Sequence, residues 1–225
     1  MNLIEYPDRD LMMIDAANQL ASELNAAVLV NDHASFAVPG GSTPGPIFDV
    51  LCAADVHWSK ISVMLTDERW VPETSDQSNA RLIKQRLLVE RAAEASFIPF
   101  YRDGATPEDC IPELSERLAQ YLPLSVLVLG MGADMHTASL FPGAAGLEHA
   151  LNTTEHSFFA TSVSGVATSQ RISLTGQVLN GAMSKHLLIT GAEKRAAVEY
   201  AQIVGDPMIA PVAAILSGTT VHWAE

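Results

Sequence analysis

Short apolar runs alternate with longer segments of helical periodicity along most of the chain, and this alternation constrains the fold more than any other feature. The clearest run is residues 126–129 (VLVL), which stops at Gly130. A short apolar run bounded by a turn residue is typical of a strand that is buried on both faces. Similar runs predict strands at 34–38, 61–65, 157–162, 172–174, 186–190 and 220–223.

Helical segments fill the intervals between these strands. The first predicted helix covers residues 8–31 with Asp8 as its N-cap, and a second helix opens at Thr43-Pro44. Further helices are predicted at 79–88, 106–122 and 192–203. Strands that alternate with helices indicate an α/β fold with a mainly parallel sheet. No repeat or linker divides the sequence, so we expect a single domain over residues 1–225.

The composition narrows the classes of function. The chain has 26 acidic and 13 basic residues, and its net charge of −13 has the wrong sign for binding nucleic acid or an anionic membrane. Its hydrophobic fraction of 48% is too high for a mainly disordered protein. A small anionic substrate remains compatible with this charge if basic side chains gather at its site.

Cysteine usage and the first residues bear on the compartment. The sequence starts without the basic and apolar regions of a signal peptide, and it has no apolar stretch long enough to cross a membrane. Cys52 and Cys110 are too few and too isolated for a disulfide framework or a cysteine zinc site. We therefore expect a cytoplasmic protein with no membrane partner.

Loops of unusual chemistry follow three of the apolar strands. They cover residues 39–43, 66–69 and 130–136. In open parallel sheets, ligands bind outside the carboxyl ends of the strands. We therefore expect the three loops to converge on one edge of the sheet and to form a binding site there.

The first loop, Gly40-Gly41-Ser42-Thr43, joins a strand to a helix. Glycines allow backbone N–H groups to approach an anion, and the hydroxyls can donate to it, so the loop suits a phosphate. A tight turn capped by Ser42 or Thr43 explains the same residues equally well. The spacing matches neither a Walker loop nor a nucleophile-elbow serine.

The third loop carries an aspartate and a histidine, Asp134 and His136, separated by one residue. A carboxylate beside an imidazole can fix its tautomer and make it a general base; the alternative is an aspartate that only caps a helix. Gly130 and Gly132 begin a dinucleotide fingerprint, but Met135 stands where its third glycine would be. Surface or core roles are expected for the other histidines, which are His33, His57, His149, His156, His186 and His222.

Three basic residues lie near the ends of predicted elements. Arg69 follows Asp67-Glu68 after a buried strand and can neutralise an oxyanion or a phosphate, although a surface turn is the simpler interpretation. Arg171 and Lys194 lie at other element ends, and Lys194 is in the first helical turn, where the macrodipole disfavours a cation. No histidine motif with metal-ligand spacing indicates a metal site.

Five ordered motifs resemble the 6-phosphogluconolactonases of the glucosamine-6-phosphate isomerase/6-phosphogluconolactonase family. They are GGSTP from residue 40, TDERWVP from 66 with the following Ser78-Asn79, GMGADMHTASLFPG from 130, QRISLTGQVLN from 170 and ITGAEKR from 189. The resemblance implies a Rossmann-like α/β fold, namely an open, mainly parallel, twisted sheet with helices on both faces. We expect the chain to be a monomer or a homodimer.

The resemblance further implies hydrolysis of 6-phospho-D-glucono-1,5-lactone to 6-phosphogluconate in the oxidative pentose phosphate pathway, without a metal or organic cofactor. By similarity, His136 activates the attacking water, with Asp134 nearby, and Arg69 faces the substrate. The residues expected around the substrate are Gly40, Gly41, Ser42, Thr43, Asp67, Arg171 and Lys194.

Two departures from the family pattern stand out. The family usually has Pro-Asp-Gly-His where this chain has Ala133-Asp134-Met135-His136, and a basic residue often follows GGSTP where this chain has Gly45. A glycine commonly serves a backbone with positive φ. We therefore expect Met135 to adopt a left-handed conformation, so that Asp134 and His136 both point into the site.

Two other functions remain as alternatives. A glucosamine-6-phosphate deaminase resembles the chain in the glycine-rich loop and in Asp-x-His, but it usually carries Asp-Glu-Tyr in place of Asp67-Glu68-Arg69. A sugar-phosphate-binding module without catalysis is the second alternative, and it does not need both Asp134 and His136.

Overall fold

The computed structural model describes residues 1–152, 158–163 and 170–225. Its strands are β1 (Asn2–Glu5), β2 (Ala34–Val38), β3 (Ile61–Leu65), β4 (Asp67–Arg69), β5 (Ser96–Ile98), β6 (Val126–Gly130), β7 (Phe159–Val163), β8 (Gln170–Leu174), β9 (Ser184–Thr190) and β10 (Thr220–Ala224). Its α-helices are α1 (Arg9–Asn31), α2 (Gly45–Leu51), α3 (Asn79–Arg86), α4 (Pro107–Ala119), α5 (Leu147–Asn152), α6 (Gly176–Asn180) and α7 (Ala192–Val204).

The larger sheet has seven strands in the order β1-β10-β9-β6-β2-β3-β5. Each neighbouring pair in it is parallel. From β2 the chain goes on to β3 on one side, and from β6 it goes on to β9 on the other, so the strand order reverses between β2 and β6. A crevice opens at such a reversal, outside the carboxyl ends of the two strands. The expected α/β fold with a mainly parallel sheet is confirmed.

A second sheet was not expected from the sequence. It contains three strands in the order β4-β8-β7, and both of its pairs are antiparallel. The interpretation of residues 66–69 as a polar loop was therefore wrong, because Asp67–Arg69 is β4. Its charged side chains hide the strand from any local hydropathy pattern, and its partner β8 lies about a hundred residues further along the chain.

Most of the other predicted elements are present with small differences at their ends. Asp8 caps α1 by accepting a hydrogen bond from Leu11 N at 2.8 Å. A capping box between Thr106 and Asp109 starts α4, but this helix ends at Ala119 rather than near residue 122. The predicted strand at 157–162 begins at residue 157, which lies outside the described residues. The described part of this prediction corresponds to β7. The sequence patterns missed β1, β5, α5 and α6.

Apolar side chains from both sheets and their helices form a continuous buried cluster. All five residues of β2 and of β3 are buried, which explains why every residue in them except one serine each is apolar. The helix α1 packs on β2, β6 and β10, and α7 packs on β9. In the part of the chain that the structure describes, no helix is both long and apolar enough to span a membrane.

Candidate active site

A cavity of about 240 Å³ opens where the strand order reverses between β2 and β6. The loops after β2 and β6 form two of its walls, and β4, β8 and the start of α7 supply the others. Its lining comprises Pro39, Gly40, Gly41, Ser42, Thr43, Pro44, Asp67, Arg69, Asn79, Gly130, Met131, Gly132, His136, Ala138, Arg171 and Lys194. The convergence expected from the strand ends is thus present.

Asp134 and His136 form a pair at this cavity. Asp134 Oδ1 lies 2.5 Å from His136 Nδ1 and also accepts a hydrogen bond from the His136 backbone N–H at 3.2 Å. A carboxylate at Nδ1 holds the proton on that nitrogen, so that a neutral imidazole keeps its lone pair on Nε2. No described residue makes a hydrogen bond to Nε2. Asp134 therefore orients the imidazole instead of capping a helix, and His136 reaches the cavity, whose lining does not include Asp134.

The backbone around this pair is shaped by two residues. Met135 has a φ of 66°, so the expected left-handed conformation is confirmed. Gly132 lies directly beneath the pair, because a Cβ on it would stand 2.3 Å from His136 Nδ1 and 2.4 Å from Asp134 Oδ1. The close approach requires a glycine at position 132, which explains the residue without any dinucleotide.

The glycine loop after β2 forms the opposite wall. Gly41 has a φ of 94°, a conformation that side-chain-bearing residues rarely adopt. Helix α2 begins at Gly45 and has no side-chain cap hydrogen bond, so Ser42 and Thr43 do not act as its caps. Both residues instead line the cavity. Their placement favours a binding role over a capped turn.

Two arginines lie side by side on neighbouring strands of the small sheet, since Arg69 on β4 pairs in register with Arg171 on β8. Burial, followed by the adjacent positive charge of Arg69, lowers the pKa of Arg171. The Nε atoms of both arginines are buried and have no hydrogen-bond partner among the described residues. Two neighbouring cations with unused donors make this wall suited to an anion.

Asp67 lies beneath these arginines and is almost fully buried. Its Oδ2 accepts from Ser139 Oγ at 2.6 Å and lies 3.9 Å from Arg171 Nη1, while Thr66 Oγ1 donates to its Oδ1 at 3.0 Å. Asp67 lines the cavity as expected, yet both of its carboxylate oxygens are already engaged by the protein. It links β4 to the loop that carries His136.

Glu68, which the sequence did not single out, is fully buried. Its carboxylate accepts from the backbone N–H groups of Arg69, Asn79 and Ala80, each at 2.8 Å, and from Ser78 Oγ at 3.2 Å. Burial raises the pKa of Glu68. These bonds hold the start of α3 against β4, and Asn79 thereby reaches the cavity wall.

Phe141 is a second residue that the sequence did not single out. Its ring lies 4.6 Å from the His136 ring between centroids, and the Arg171 guanidinium lies 5.3 Å from the Phe141 centroid. A positive guanidinium is attracted to the face of an aromatic ring. The one sequence signal for Asn79 and Phe141 is that both lie inside the motifs that resemble the family.

Every residue expected at the site except Asp134 lines the cavity, including Lys194 in the first turn of α7. Three cations thus gather locally on a chain of net charge −13. Within the described residues, no cluster of three or more histidine, cysteine or acidic side chains has the arrangement of a metal site. The cavity therefore combines an oriented imidazole with a cationic wall.

Comparison with known proteins agrees with this arrangement. The sequence model of the family described as glucosamine-6-phosphate isomerases/6-phosphogluconolactonase matches residues 7–223. A 6-phosphogluconolactonase of Rhizobium meliloti is 39% identical, with 92% of each chain covered. One of Caulobacter vibrioides is 36% identical, with 100% of this chain and 98% of the relative covered.

A solved structure gives the same result. The crystal structure of a 6-phosphogluconolactonase from Shewanella baltica superposes with a TM-score of 0.95 at 31% identity, covering 100% of this chain and 98% of that one. Fold, length and sequence thus agree across nearly the whole of both proteins. The chain belongs to the glucosamine-6-phosphate isomerase/6-phosphogluconolactonase family.

Proposed function

We propose that the chain hydrolyses 6-phospho-D-glucono-1,5-lactone to 6-phosphogluconate, the lactone step of the oxidative pentose phosphate pathway. The observation that carries this proposal is the Asp134-oriented imidazole of His136, which lines the same cavity as Arg69, Arg171 and Lys194. A lactone needs a base for water, and a phosphate needs cations. The relatives named 6-phosphogluconolactonase support this substrate over the other activity in the family name.

In the proposed reaction, His136 Nε2 takes a proton from a water molecule as its oxygen attacks C1 of the lactone. The tetrahedral intermediate then expels the ring oxygen O5, which takes the proton back from His136. Asp134 keeps Nδ1 protonated throughout and stabilises the transient imidazolium. Neither a covalent nucleophile nor a metal or organic cofactor enters these steps, and the proton balance closes on His136.

The cations divide between charge stabilisation and phosphate binding. Arg69 balances the negative charge that develops on the carbonyl oxygen, because its guanidinium is already fixed by the protein before substrate binds. Arg171 and Lys194, together with Gly40, Gly41, Ser42 and Thr43, hold the phosphate and hydroxyl groups. A general base supplies ~10²–10⁴-fold and one oxyanion donor ~10²–10³-fold, which suffices for an already electrophilic carbonyl.

We further propose that the chain acts as one domain in the cytoplasm. A continuous apolar cluster joins the elements of both sheets, which supports a single domain. Cys52 and Cys110 are free and buried, as suits a reducing compartment. Monomer and homodimer both remain compatible with this proposal.

The test is a coupled assay with freshly generated 6-phosphogluconolactone, in which the appearance of 6-phosphogluconate is corrected for spontaneous hydrolysis. We expect the purified protein to raise the rate well above the uncatalysed background. In a parallel reaction with glucosamine 6-phosphate, we expect no release of ammonia. Ammonia release without lactone hydrolysis would overturn the proposal in favour of a deaminase, and binding of either compound without turnover would favour a non-catalytic module.

A further inference from the structure

Asn79 is a buried amide that lies between Arg69 and the glycine loop. It is the first residue of α3 and is 2% exposed. Its Oδ1 accepts a hydrogen bond from Arg69 Nη1 at 2.8 Å, and its Nδ2 donates to the Asp67 carbonyl at 2.8 Å. Because only the amide nitrogen can donate to a carbonyl, these two bonds fix which way the side chain points.

The same amide packs against Gly40 in the neighbouring wall of the cavity. A Cβ on Gly40 would stand 1.8 Å from Asn79 Oδ1 and 2.3 Å from its Cγ. Gly40 does not have a left-handed backbone, in contrast to Gly41. A glycine is therefore needed at position 40 for the close approach of Asn79, and at position 41 for its backbone conformation.

Arg69 depends on this contact for its orientation. Its Nη1 donates to Asn79 Oδ1 and to the Gln77 carbonyl, each at 2.8 Å, whereas its Nε is buried and has no hydrogen-bond partner among the described residues. An electrostatic group stabilises a transition state best when the protein holds it in place beforehand. Among the described residues, Asn79 is one of the two acceptors that hold this guanidinium.

We propose that Asn79 is a positioning residue that fixes the Arg69 guanidinium and the glycine loop relative to each other. The inference rests on the proposed lactonase activity, in which Arg69 stabilises the developing oxyanion. Asn79 acts through Arg69, so its loss lowers kcat more than it raises KM. A displacement of about 1 Å can reduce a rate ~10²-fold, and we expect kcat of Asn79→Ala to fall roughly 10- to 100-fold.

Asn25 offers a matched control on the protein surface. Its Nδ2 donates to the Asp55 carbonyl at 2.8 Å and its Oδ1 accepts from His57 N at 3.1 Å, so Asn25→Ala also removes one donated and one accepted bond. We expect Asn25→Ala to retain the kcat of the wild type. Thermal unfolding of both variants shows how much stability each change removes. An Asn79→Ala variant with the kcat of Asn25→Ala would overturn the proposal.

A double-mutant cycle tests the coupling itself. Gly40→Ala alone must push the Asn79 amide aside, and we expect it to lower kcat about as much as Asn79→Ala does. In Gly40→Ala/Asn79→Ala the amide that the new methyl would meet is gone, so we expect a kcat no lower than that of Asn79→Ala. Losses that multiply in the double variant would contradict a shared mechanism.

A crystal structure of Gly40→Ala gives a readout that does not depend on activity. We expect a displaced Asn79 side chain and a broken Arg69–Asn79 hydrogen bond; an unmoved amide would overturn the inference. If Asn79→Ala does not fold, the crystal structure and the kcat of Gly40→Ala together test whether Asn79 positions Arg69. A wild-type protein without lactonase activity would refute the proposed function, and the same structure would still decide whether Gly40 and Asn79 are coupled.

Discussion

Two histidine–carboxylate pairs are present among the described residues, and they have opposite surroundings. His136 meets Asp134 at 2.5 Å on the rim of the cavity, and its side chain is 32% exposed. His186 on β9 meets Glu23 on α1 at 2.8 Å, and its side chain is 1% exposed. Both pairs consist of an imidazole and a carboxylate. They differ in whether the ring nitrogen that faces away from the carboxylate has a hydrogen-bond partner.

In the buried pair both nitrogens are engaged. His186 Nε2 faces Glu23, and His186 Nδ1 lies 3.0 Å from His222 Nε2, whose other nitrogen lies 2.9 Å from Tyr6 Oη. Tyr6 in turn donates to Asp15 at 2.8 Å. This chain of hydrogen bonds satisfies buried polar groups and thereby stabilises the fold. A histidine–carboxylate pair is thus suited to catalysis only where its outer nitrogen is left free in a cavity.

The largest effect on activity is expected at the His136–Asp134 pair. We expect His136→Ala to lower kcat at least ~10²-fold, the usual contribution of a general base. The melting temperature should change little, because the side chain is partly exposed and its loss leaves no buried partner. Steady-state kinetics with corrected lactone hydrolysis measures the first effect, and calorimetry measures the second.

His186→Ala is the matched control for that variant. Its removal leaves the buried His222 Nε2 without the ring nitrogen that it bonds and takes one partner from Glu23, which keeps Ser184 Oγ, so we expect the free energy of unfolding to fall by about 1–3 kcal/mol. The kcat of the folded variant should match the wild type. Near-normal turnover by His136→Ala, or lost turnover in folded His186→Ala, would break the comparison between the two pairs.

The buried network also predicts a pH dependence of stability. Burial and then the neighbouring His186 lower the pKa of His222 from 6.5 to about 4, although Asp15 and Glu23 act in the opposite direction. His222 in the unfolded chain therefore binds a proton below pH 6.5, whereas in the folded protein it binds one only below about pH 4. The unfolded state binds more protons within this window, so stability falls as the pH falls through it. The loss from this residue is at most about 3 kcal/mol.

Urea unfolding at a series of pH values measures this effect. We expect the stability of His222→Gln to depend less steeply on pH than that of the wild type between pH 6.5 and 4. Titrating groups outside the network of Tyr6, Asp15, Glu23 and His186 are common to both proteins and cancel in the difference. Parallel curves for the two proteins would show that His222 does not remain neutral in the fold.

A smaller effect is expected at the cationic wall. Removal of Arg171 or Lys194 should raise KM for the phosphorylated lactone about 10- to 100-fold, since a hydrogen bond to a charged group contributes about 1.5–3 kcal/mol. The kcat should change little if these cations bind substrate and transition state equally. Unphosphorylated gluconolactone is the control, because it lacks the group that they bind. Equal losses with both lactones would assign these side chains another role.

The smallest effect is expected at Met135. Its left-handed backbone, with a φ of 66°, costs about 1–2 kcal/mol for a residue with a side chain. Glycine relieves this strain but adds about 0.5–1 kcal/mol of unfolded-state entropy. We therefore expect Met135→Gly to keep its activity and to gain up to about 1.5 kcal/mol of stability in chemical unfolding. A variant that melts lower than the wild type would contradict this account.

The sequence indicated most of the large sheet and the edge at which the site lies. Strands such as β2 and β6 are mostly apolar runs, so a local pattern is enough to find them and the loops that follow. Short strands at the sheet edge, such as β1 and β5, carry little of this pattern and were missed. The fold class and the rim of the site were therefore predictable from local sequence.

Contacts between distant segments were not predictable in this way. The pairing of β4 with β8 places Arg69 opposite Arg171, although β4 resembles a polar loop in sequence. The approach of Asn79 to Gly40 and of His136 to Gly132 joins residues whose proximity only the fold reveals. Met135 was the exception, because its substitution within a familiar motif already predicted its backbone.

A structure of the protein with bound 6-phosphogluconate tests the central claim most directly. We predict that the C1 carboxylate lies within hydrogen-bond reach of His136 Nε2, at about 2.6–3.2 Å, while the phosphate contacts Arg171 and Lys194. Both ends of one product molecule would then occupy the single cavity between β2 and β6. A product bound with its phosphate beside His136, or bound outside this cavity, would contradict the account.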